Sequence, residues 1–324
     1  MHFPFNIYLL SFVGAAVASA VSLPVWRRWC RRVGLVDDPG HRKIHAEPIP
    51  LAGGLAVFTG VLVPLAGAVA VIMAGLFEAA VSEALSYGLL RRAGQLSAIL
   101  GGALGMVLLG GLDDRHELTP RTKFAGQLLI ALLVAASGIR ITLFVESTVF
   151  SYFITVLWIL TVTNAFNFMD NMNGLCGGLG AIGAFFFAAN AAAQGQYLVT
   201  MIALLTCGAL LGFLPFNFPK ATAFLGDAGS HLVGFLLSVL AILPHFYSIE
   251  HPRTLAVLNP ILILAMPLVD LVWVVILRWR MGRPFYVGDT NHLSHRLVRR
   301  GLSQTTAVLL IWACASGIGA LTLL

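Results

Sequence analysis

Four short polar motifs interrupt a chain that is otherwise strongly apolar. They are Asp113-Asp114 with Lys123, the run from Asn164 to Asn173, the run from Gly226 to Ser230, and the run from His292 to Arg296. Together they supply carboxylates, amides, cations and a glycine turn. Carboxylate and amide oxygens are the hard ligands that Mg²⁺ prefers. The set therefore predicts a metal-dependent site for a diphosphate substrate at the edge of a membrane.

The first motif places two acids at the end of an apolar run. Asp113 and Asp114 follow Leu112, and carboxylates are costly inside a lipid bilayer. A bare Asp-Asp pair also fits the solvated start of a loop. Lys123 opens the next apolar segment and can reach back over that loop, so the three residues suit a phosphate acceptor and a metal.

In the second motif, polar residues recur every three positions, at Asn164, Asn167, Asp170 and Asn173. Asn167 and Asp170 are i,i+3 neighbours and therefore share one face of a helix. Polar capping where a helix leaves the lipid is the alternative, because Asn favours caps and turns. Four such residues in ten make capping alone the weaker interpretation.

The third motif flanks Asp227 with Gly226 and Gly229, and glycine permits close backbone approach. Ser230 is expected to cap the helix that follows. A turn with an N-cap is an equally good interpretation of this segment by itself. An acid between glycines at a helix N-terminus also suits a metal ligand that faces a diphosphate.

The fourth motif, with His292, His295 and Arg296, lies among five further arginines between positions 278 and 300. Two histidines at i,i+3 would suggest Zn²⁺, but no third soft ligand is near. A loop that binds a polyanion is the favoured interpretation, and contact with anionic lipid headgroups explains part of the charge. Asp270 lies inside an apolar segment, where we expect it to pair with a loop arginine or a backbone group.

Composition identifies the elements that must position these residues. The chain has 324 residues, of which 58% are hydrophobic and 10% charged, whereas soluble domains carry about 25% charged residues. This predicts an all-α integral membrane protein that forms a single polytopic domain over 1–324. A spanning helix needs about 20 apolar residues. Ten such segments are predicted: 5–26, 51–76, 95–112, 124–139, 148–166, 174–193, 197–215, 229–248, 256–277 and 303–323.

Charge orients these segments. The loops at 27–50, 113–123, 217–228 and 278–301 hold 6, 3, 1 and 6 Lys/Arg, which is 16 of the 20 in the chain. The positive-inside rule then places these loops in the cytoplasm and, with ten spans, both termini outside. The loops of all four motifs would then lie in the cytoplasm. The helices after the first three motifs would point their N-termini at this face. Their unpaired N–H groups are expected to attract phosphate.

The motif sequences resemble a known family. The runs Gly-Leu-Asp-Asp (111–114), Asn-Ala-Phe-Asn-Phe-Met-Asp (164–170), Gly-Asp-Ala-Gly-Ser (226–230) and Asp-x-x-His-x-x-His-Arg-Leu (289–297) resemble polyprenyl-phosphate N-acetylhexosamine-1-phosphate transferases. The similarity covers about 105–300 and is strongest to bacterial undecaprenyl-phosphate N-acetylglucosamine-1-phosphate transferases. It implies about ten transmembrane helices and an active site that faces the cytoplasm.

The resemblance also implies residue roles. Asp113 and Asp114 would be catalytic with Lys123 beside them, and Asn167 and Asp227 would bind Mg²⁺, with Mn²⁺ as a substitute. The implied substrate-binding residues are Asn164, Asp170, Asn173, Gly226, Gly229, Ser230, His292, His295 and Arg296.

The implied reaction transfers N-acetylhexosamine-1-phosphate from a UDP-sugar, foremost UDP-GlcNAc, to a polyprenyl phosphate and releases UMP. It would be the first membrane step of a cell-envelope glycan, such as cell wall, lipopolysaccharide or exopolysaccharide, in the inner (plasma) membrane. No nucleic acid is expected as a partner, and a homodimer is possible. A transporter or lipid flippase is the alternative, but such proteins place polar groups near the bilayer midplane and often show inverted repeats.

Two positions depart from the family pattern. Bacterial relatives usually have Asp-Gly-x-Asp-Gly where this chain has Asp170-Asn171-Met172-Asn173-Gly174. Asn173 can accept a hydrogen bond but brings no charge, and the eukaryotic branch of the family also has Asn at this position. The last loop has His292-Leu293-Ser294-His295 in place of the three consecutive histidines of the pentapeptide translocases or the His-x-His-His of most N-acetylglucosamine enzymes. This argues against a pentapeptide substrate and leaves the sugar open.

Overall fold

A computed structural model describes residues 4–38, 47–75, 83, 86–88, 90–142, 145–244 and 254–324. These parts are almost entirely helical. The helices are α1 Phe5–Val33, α2 Gly53–Met73, α3 Ala93–His116, α4 Pro120–Ala136, α5 Thr148–Met169, α6 Leu175–Ala193, α7 Tyr197–Phe213, α8 Gly226–Leu240, α9 Asn259–Ile263, α10 Ala265–Arg280, α11 Leu293–Arg299 and α12 Gln304–Ala320. Short 3₁₀ turns occupy Leu214–Phe216, Thr254–Leu258 and Leu321–Leu323. Strands β1 (Val36–Asp37) and β2 (Ile49–Pro50) pair antiparallel.

Seven of the described helices are long and apolar enough to cross a membrane, and the segment Ala256–Ile263 with α10, bent by 66°, raises the number to eight. Large side chains on α5 face outward at helical spacing, with Val149, Phe153 and Leu157 exposed by 80%, 65% and 47%. Such a stripe is stable only against lipid or another apolar surface. The described helices therefore confirm the prediction of a multi-pass membrane protein.

The predicted number of ten spans is only partly supported. Each predicted segment contains a helix, but α4 has 17 residues and α8 only 15. The fourth segment begins earlier than predicted, at Pro120, so Lys123 belongs to the first turn of α4. Three residues in the charge count, Arg42, Lys43 and Arg253, lie outside the described residues.

The short helix α8 lies at the centre of the bundle. All of its 15 residues except Asp227 are buried, and it packs against α2, α3, α5 and α6. A helix that is apolar on every face belongs in the interior of a large protein or in a membrane. Helix α8 thus forms a core around which the other helices place their polar ends.

Helices α3 and α4 form a tight hairpin. Glu117 adopts the left-handed conformation (φ 48°) that ends α3. Thr119 then accepts a hydrogen bond from the N–H of Thr122, with Pro120 at the first position of α4, which is the favoured place for proline in a helix. The short connection returns Lys123 towards the last turn of α3.

The loops that carry the motifs meet at one end of the bundle. The N–H groups of Gly53 and Gly54 at the start of α2 donate to the carbonyls of Phe224 and Leu225, just before α8. The α3–α4 hairpin and the end of α5 contact the same start of α8, as described below. The side of the membrane that this end faces stays a prediction.

Candidate active site

Lys123 joins three of the predicted motifs. Its Nζ lies 2.6 Å from Asp113 Oδ2 and 2.9 Å from Asp227 Oδ2, and it donates to Asn167 Oδ1 at 3.5 Å. The Lys123 side chain is only 19% exposed and that of Asp113 only 9%. Charges in such surroundings interact more strongly than at an open surface. Helices α3, α4, α5 and α8 each contribute one residue to this group of Asp113, Lys123, Asn167 and Asp227, which we call the acidic cluster.

Asp114 points in a different direction from Asp113. Its Oδ1 accepts the N–H of Asp227 at 2.8 Å and its Oδ2 accepts the N–H of Ala228 at 3.1 Å. These are orphan donors in the first turn of α8, where the helix dipole also favours a negative charge. Asp114 therefore acts as an N-cap supplied from another helix and fixes the start of α8, on which Asp227 sits.

Glycine is required at two places in this contact. Gly226 has φ +71°, and a Cβ added there would lie 2.8 Å from Asp114 Oδ2. A Cβ on Gly110 of α3 would collide with the backbone of Asp227. The pair lets α3 and α8 approach closely enough for the carboxylate of Asp114 to reach the backbone of α8.

Asn167 connects α5 to α8. Its Nδ2 donates to Asp227 Oδ1 at 2.6 Å and to Ser230 Oγ at 3.0 Å. The expected N-cap role of Ser230 is wrong, because α8 begins at Gly226 and Asp114 supplies the cap. Ser230 instead holds the amide of Asn167, while Gly229 packs against Gly54 of α2.

Asp170 lies at the C-cap of α5, one turn beyond Asn167. Burial, followed by the charges of Asp227 and Asp114, raises the pKa of Asp170 to about 8. Four carboxylates, those of Asp113, Asp114, Asp170 and Asp227, thus share a region in which Lys123 is the neighbouring cation. Asp170 therefore keeps its proton near neutral pH in the absence of a bound cation.

The other two asparagines of the second motif diverge from the acidic cluster. Asn164 donates to Gln127 Oε1 at 2.8 Å and joins α5 to α4 one turn behind Lys123. Asn173 donates to the carbonyl of Pro219 at 3.3 Å and joins two loops. Gln127 was absent from the sequence prediction, although a polar residue four positions after Lys123 in an apolar helix was a usable signal. Direct substrate contact by Asn164 or Asn173 stays a prediction.

The expectation of free helix N-termini needs correction. Thr119 caps α4 and Asp114 caps α8, so these ends have side-chain partners. Only α6, which starts after the left-handed Gly174, lacks a side-chain cap among the three helices concerned. Binding of phosphate by a ring of unpaired N–H groups is therefore not what this end of the bundle offers.

The fourth motif, His292 to Arg296, which we call the histidine loop, docks against the end of α5. Ser294 Oγ donates to Asn171 Oδ1 at 2.6 Å, and the His292 ring meets the Phe168 ring edge-on at 6.0 Å. Within the described chain, no hydrogen bond joins His292, His295 or Arg296 to the acidic cluster. The structure therefore joins this motif to the second one through Ser294 and His292, without a hydrogen bond to the acidic cluster.

Helix α10 anchors that loop through charged groups. The carboxylate of Asp270 accepts from His292 Nδ1 and from the N–H of Leu293. The expected pairing of Asp270 with a loop arginine or a backbone group is thus confirmed by the N–H of Leu293, while Arg278 pairs with Asp289 at 3.1 Å.

Arg278 and Arg296 both stack on aromatic rings. The guanidinium of Arg278 lies 4.9 Å from the Phe168 ring centroid and that of Arg296 lies 4.7 Å from Trp273. Burial lowers the pKa of His295, with further lowering from His292 and Arg299. Arg278 was predicted only as loop charge, although it is 1% exposed.

The donor chemistry of the acidic cluster fits a divalent cation. No group of three His, Cys, Asp or Glu side chains in the described residues forms a metal site by itself. Mg²⁺, however, is usually held by one or two carboxylates together with substrate phosphates and water. The carboxylate of Asp227 and the amide of Asn167, with Asp170 one turn away, suit such a shared site.

Comparisons with known proteins identify a family and several relatives of this chain. Residues 96–245 match the family model described as Glycosyl transferase family 4. The chain is 32% identical over 312 residues to the probable undecaprenyl-phosphate N-acetylglucosaminyl 1-phosphate transferase of Bacillus subtilis (strain 168), an alignment covering 94% of this chain and 81% of that protein.

Two further relatives carry related names. The decaprenyl-phosphate N-acetylglucosaminephosphotransferase of Mycobacterium tuberculosis (strain ATCC 25618 / H37Rv) is 32% identical over 333 residues, covering 95% of this chain and 79% of the relative. The undecaprenyl-phosphate alpha-N-acetylglucosaminyl 1-phosphate transferase of Escherichia coli (strain K12) is 27% identical over 306 residues, covering 90% and 76%.

A helical membrane fold with these relatives defines a class, the membrane-embedded enzymes that transfer sugar phosphates to polyprenyl phosphates. Within that class, the chain belongs to glycosyl transferase family 4. The family resemblance predicted from the four motifs is confirmed.

Proposed function

We propose that the protein transfers N-acetylglucosamine-1-phosphate from UDP-GlcNAc to a polyprenyl phosphate, giving polyprenyl-diphosphate-GlcNAc and UMP. The observation that carries the proposal is the convergence of Asp113, Lys123, Asn167 and Asp227 from four helices. The names of the relatives supply the polyprenyl phosphate and the N-acetylglucosamine phosphate. UDP as the carrier is what the resemblance of the four motifs to the family implies.

In this reaction, an oxygen of the lipid phosphate attacks the phosphorus attached to the sugar, and the bond to UMP breaks. A phosphate monoester has its second pKa near 6, so the attacking group is mostly dianionic at neutral pH. Repulsion between two unit charges 4 Å apart is about 4 kcal/mol at an effective dielectric constant near 20. Holding the two anions together is therefore the larger task, and removal of a proton the smaller one.

Each residue of the site has a separate role in the proposed reaction. Lys123, held between Asp113 and Asp227, supplies positive charge where negative charge develops on the diphosphate. Asp113 is placed to accept the remaining proton of a monoanionic lipid phosphate. Asp114 acts through the start of α8 and keeps Asp227 in register. The cationic histidine loop binds the nucleotide-sugar beside the acidic cluster.

Asn167 and Asp227 are the residues that would hold Mg²⁺, with Mn²⁺ as a substitute. When bound, the ion supplies Lewis-acid stabilisation of the diphosphate oxygens. Asp170, three residues from Asn167, has a pKa raised to about 8 and would supply negative charge once a bound cation displaces its proton.

Orientation follows from the distribution of charge. Because 16 of the 20 Lys/Arg lie in the loops at 27–50, 113–123, 217–228 and 278–301, we propose that this end of the bundle faces the cytoplasm from the inner (plasma) membrane. The enzyme would then start a cell-envelope glycan on the inner leaflet. A homodimer is a further proposal, which light scattering in detergent would test.

Release of UMP tests the reaction. Purified protein is incubated with polyprenyl phosphate, Mg²⁺ and a panel of UDP-sugars, and UMP is measured by chromatography. We expect UMP with UDP-GlcNAc only when the lipid phosphate is present, and loss of the signal with EDTA. Absence of UMP with every sugar, together with movement of lipid or solute across vesicles, would support a transporter or flippase instead.

A further inference from the structure

A carboxylate–histidine pair lies outside the acidic cluster, where α10 meets the histidine loop. Asp270 is 3% exposed and both of its oxygens are used. Oδ2 lies 2.6 Å from His292 Nδ1, and Oδ1 accepts the N–H of Leu293 at 2.7 Å. An ionisable residue inside a membrane-spanning segment is costly and typically has a functional role.

The contact determines how His292 is presented. A carboxylate accepts hydrogen bonds only, so the proton of Nδ1 points at Asp270. In the described part of the chain, Nε2 of His292 has no hydrogen-bond partner. The edge-on contact with Phe168, at an interplanar angle of 81°, restrains the ring further. One nitrogen is therefore fixed and the other is left for a ligand.

The same contacts fix the position of α11. Its first N–H is held by Asp270, and its Ser294 hydroxyl is held by Asn171, just beyond α5. Arg278, two turns after Asp270 on α10, holds the preceding loop through Asp289 and the carbonyl of Phe285. Helix α10 thus ties the histidine loop to the end of α5 that carries Asn167.

We propose that Asp270 is a positioning residue that presents Nε2 of His292 to the nucleotide-sugar. The inference rests on the proposed function, because it assumes that the histidine loop binds the UDP-sugar. A carboxylate that orients a histidine through Nδ1 is an established way to fix the tautomer and direction of the ring. Asp270 itself touches no substrate in this proposal.

Asp270→Asn is the direct test. The amide keeps the size of the side chain and an acceptor for Leu293, but it can set an N–H donor against Nδ1, so the ring must change tautomer or rotate. We expect kcat/KM for UDP-GlcNAc to fall about 10- to 100-fold, as for partners that orient metal ligands. The KM for UDP-GlcNAc should rise while the KM for polyprenyl phosphate stays near wild type. Asp270→Glu should restore part of the loss.

A double-mutant cycle separates positioning from general support. If Asp270 acts through His292, then Asp270→Asn should have little further effect in a His292→Gln background, because coupled residues are non-additive. Fully additive losses would overturn the proposal, as would a wild-type KM for UDP-GlcNAc in Asp270→Asn. If Asp270→Asn does not yield folded protein, the cycle is run with Asp270→Glu.

A matched control removes a buried polar contact far from this loop. Asn259 of α9 is 8% exposed and donates to Asn190 Oδ1 at 2.9 Å. Asn259→Ala should lower the unfolding midpoint without changing the KM for UDP-GlcNAc. If both variants raise that KM in proportion to their loss of stability, Asp270 has only a structural role.

Nitrogen-15 NMR of histidine-labelled protein tests the pair without turnover. The His292 signals are identified by their loss in His292→Gln, and we expect a protonated Nδ1 in the wild type and a changed pattern in Asp270→Asn. Unchanged His292 signals would overturn the proposal even if the enzyme is active. Conversely, if the wild type releases no UMP but the pattern changes, the proposed function fails while the pair itself stands.

Discussion

Replacing Asp114 with asparagine distinguishes a positioning carboxylate from one that takes part in the chemistry. Both oxygens of Asp114 accept N–H groups at the start of α8, whereas Asp113 pairs with Lys123. In Asp114→Asn, one oxygen can still accept, but the amide nitrogen is a donor that faces another donor. The variant should therefore loosen the start of α8 and displace Asp227.

The size of this effect follows from the contacts. Loss of an N-cap side chain costs typically about 1 kcal/mol, and loss of the charge at the positive end of a partly buried helix adds roughly another 1 kcal/mol. A total of about 2 kcal/mol corresponds to roughly a 30-fold change in an equilibrium or rate constant. Asp114→Asn should thus lower the free energy of unfolding by about 2 kcal/mol and slow turnover roughly 30-fold.

The assay pairs initial rates of UMP release with thermal unfolding in detergent, for Asp114→Asn and Asp113→Asn in parallel. Asp113→Asn removes a partner of Lys123 and should slow turnover by at least tenfold without releasing the start of α8. A loss above about 10³-fold in Asp114→Asn with an unchanged unfolding midpoint would refute the positioning argument, because 10³-fold matches loss of a transition-state contact.

Three further outcomes are expected. Asp227→Asn should abolish UMP release, and added Mg²⁺ should not restore it; wild-type rates in this variant would contradict the ligand assignment. Gly226→Ala should reduce stability and turnover more than Gly282→Ala. Both glycines have φ near +70°, but only a Cβ at position 226 would meet Asp114. Equal effects would show that backbone strain, roughly 1–2 kcal/mol, is the whole cause. Burial raises the pKa of Asp289, but the hydrogen bonds from Arg278 and Asn291 outweigh this effect and lower the pKa to about 2. The resulting contribution to stability is present above about pH 4 and is lost as the pH falls towards 2. The unfolding midpoints of wild type and Asp289→Asn should therefore converge only in acid.

The central part of the site could be predicted from the sequence because its chemistry is rare in an apolar chain. Asp113, Lys123, Asn167 and Asp227 carry side chains that are costly to place beside lipid, so their positions at the ends of apolar segments indicate a common function. The structure then joined all four through Lys123 and Asn167. These four residues can therefore be predicted as site residues from their type and their position along the chain alone.

The division of labour between neighbours could not be predicted. Asp113 and Asp114 are adjacent and chemically identical, and only the packing of α3 on α8 decides which one reaches Lys123 and which one caps a helix. Ser230 had the residue type of an N-cap, yet the helix starts four residues earlier because Asp114 provides the acceptors from another segment. Local rules for caps assume a local partner, and here the partner is more than a hundred residues away.

The predicted count of ten spans is only partly supported for a related reason. Hydropathy measures how apolar a segment is, and α8 is as apolar as its neighbours, but its 15 residues are surrounded by protein. A helix enclosed in this way has no need to match the thickness of the bilayer, which is a requirement on surfaces that meet lipid. The same enclosure explains the chemistry: because α8 is held on all sides, its first turn is a rigid base for Asp227. Asp114, which ties that turn to α3, then controls the position of the proposed metal ligand from outside the acidic cluster.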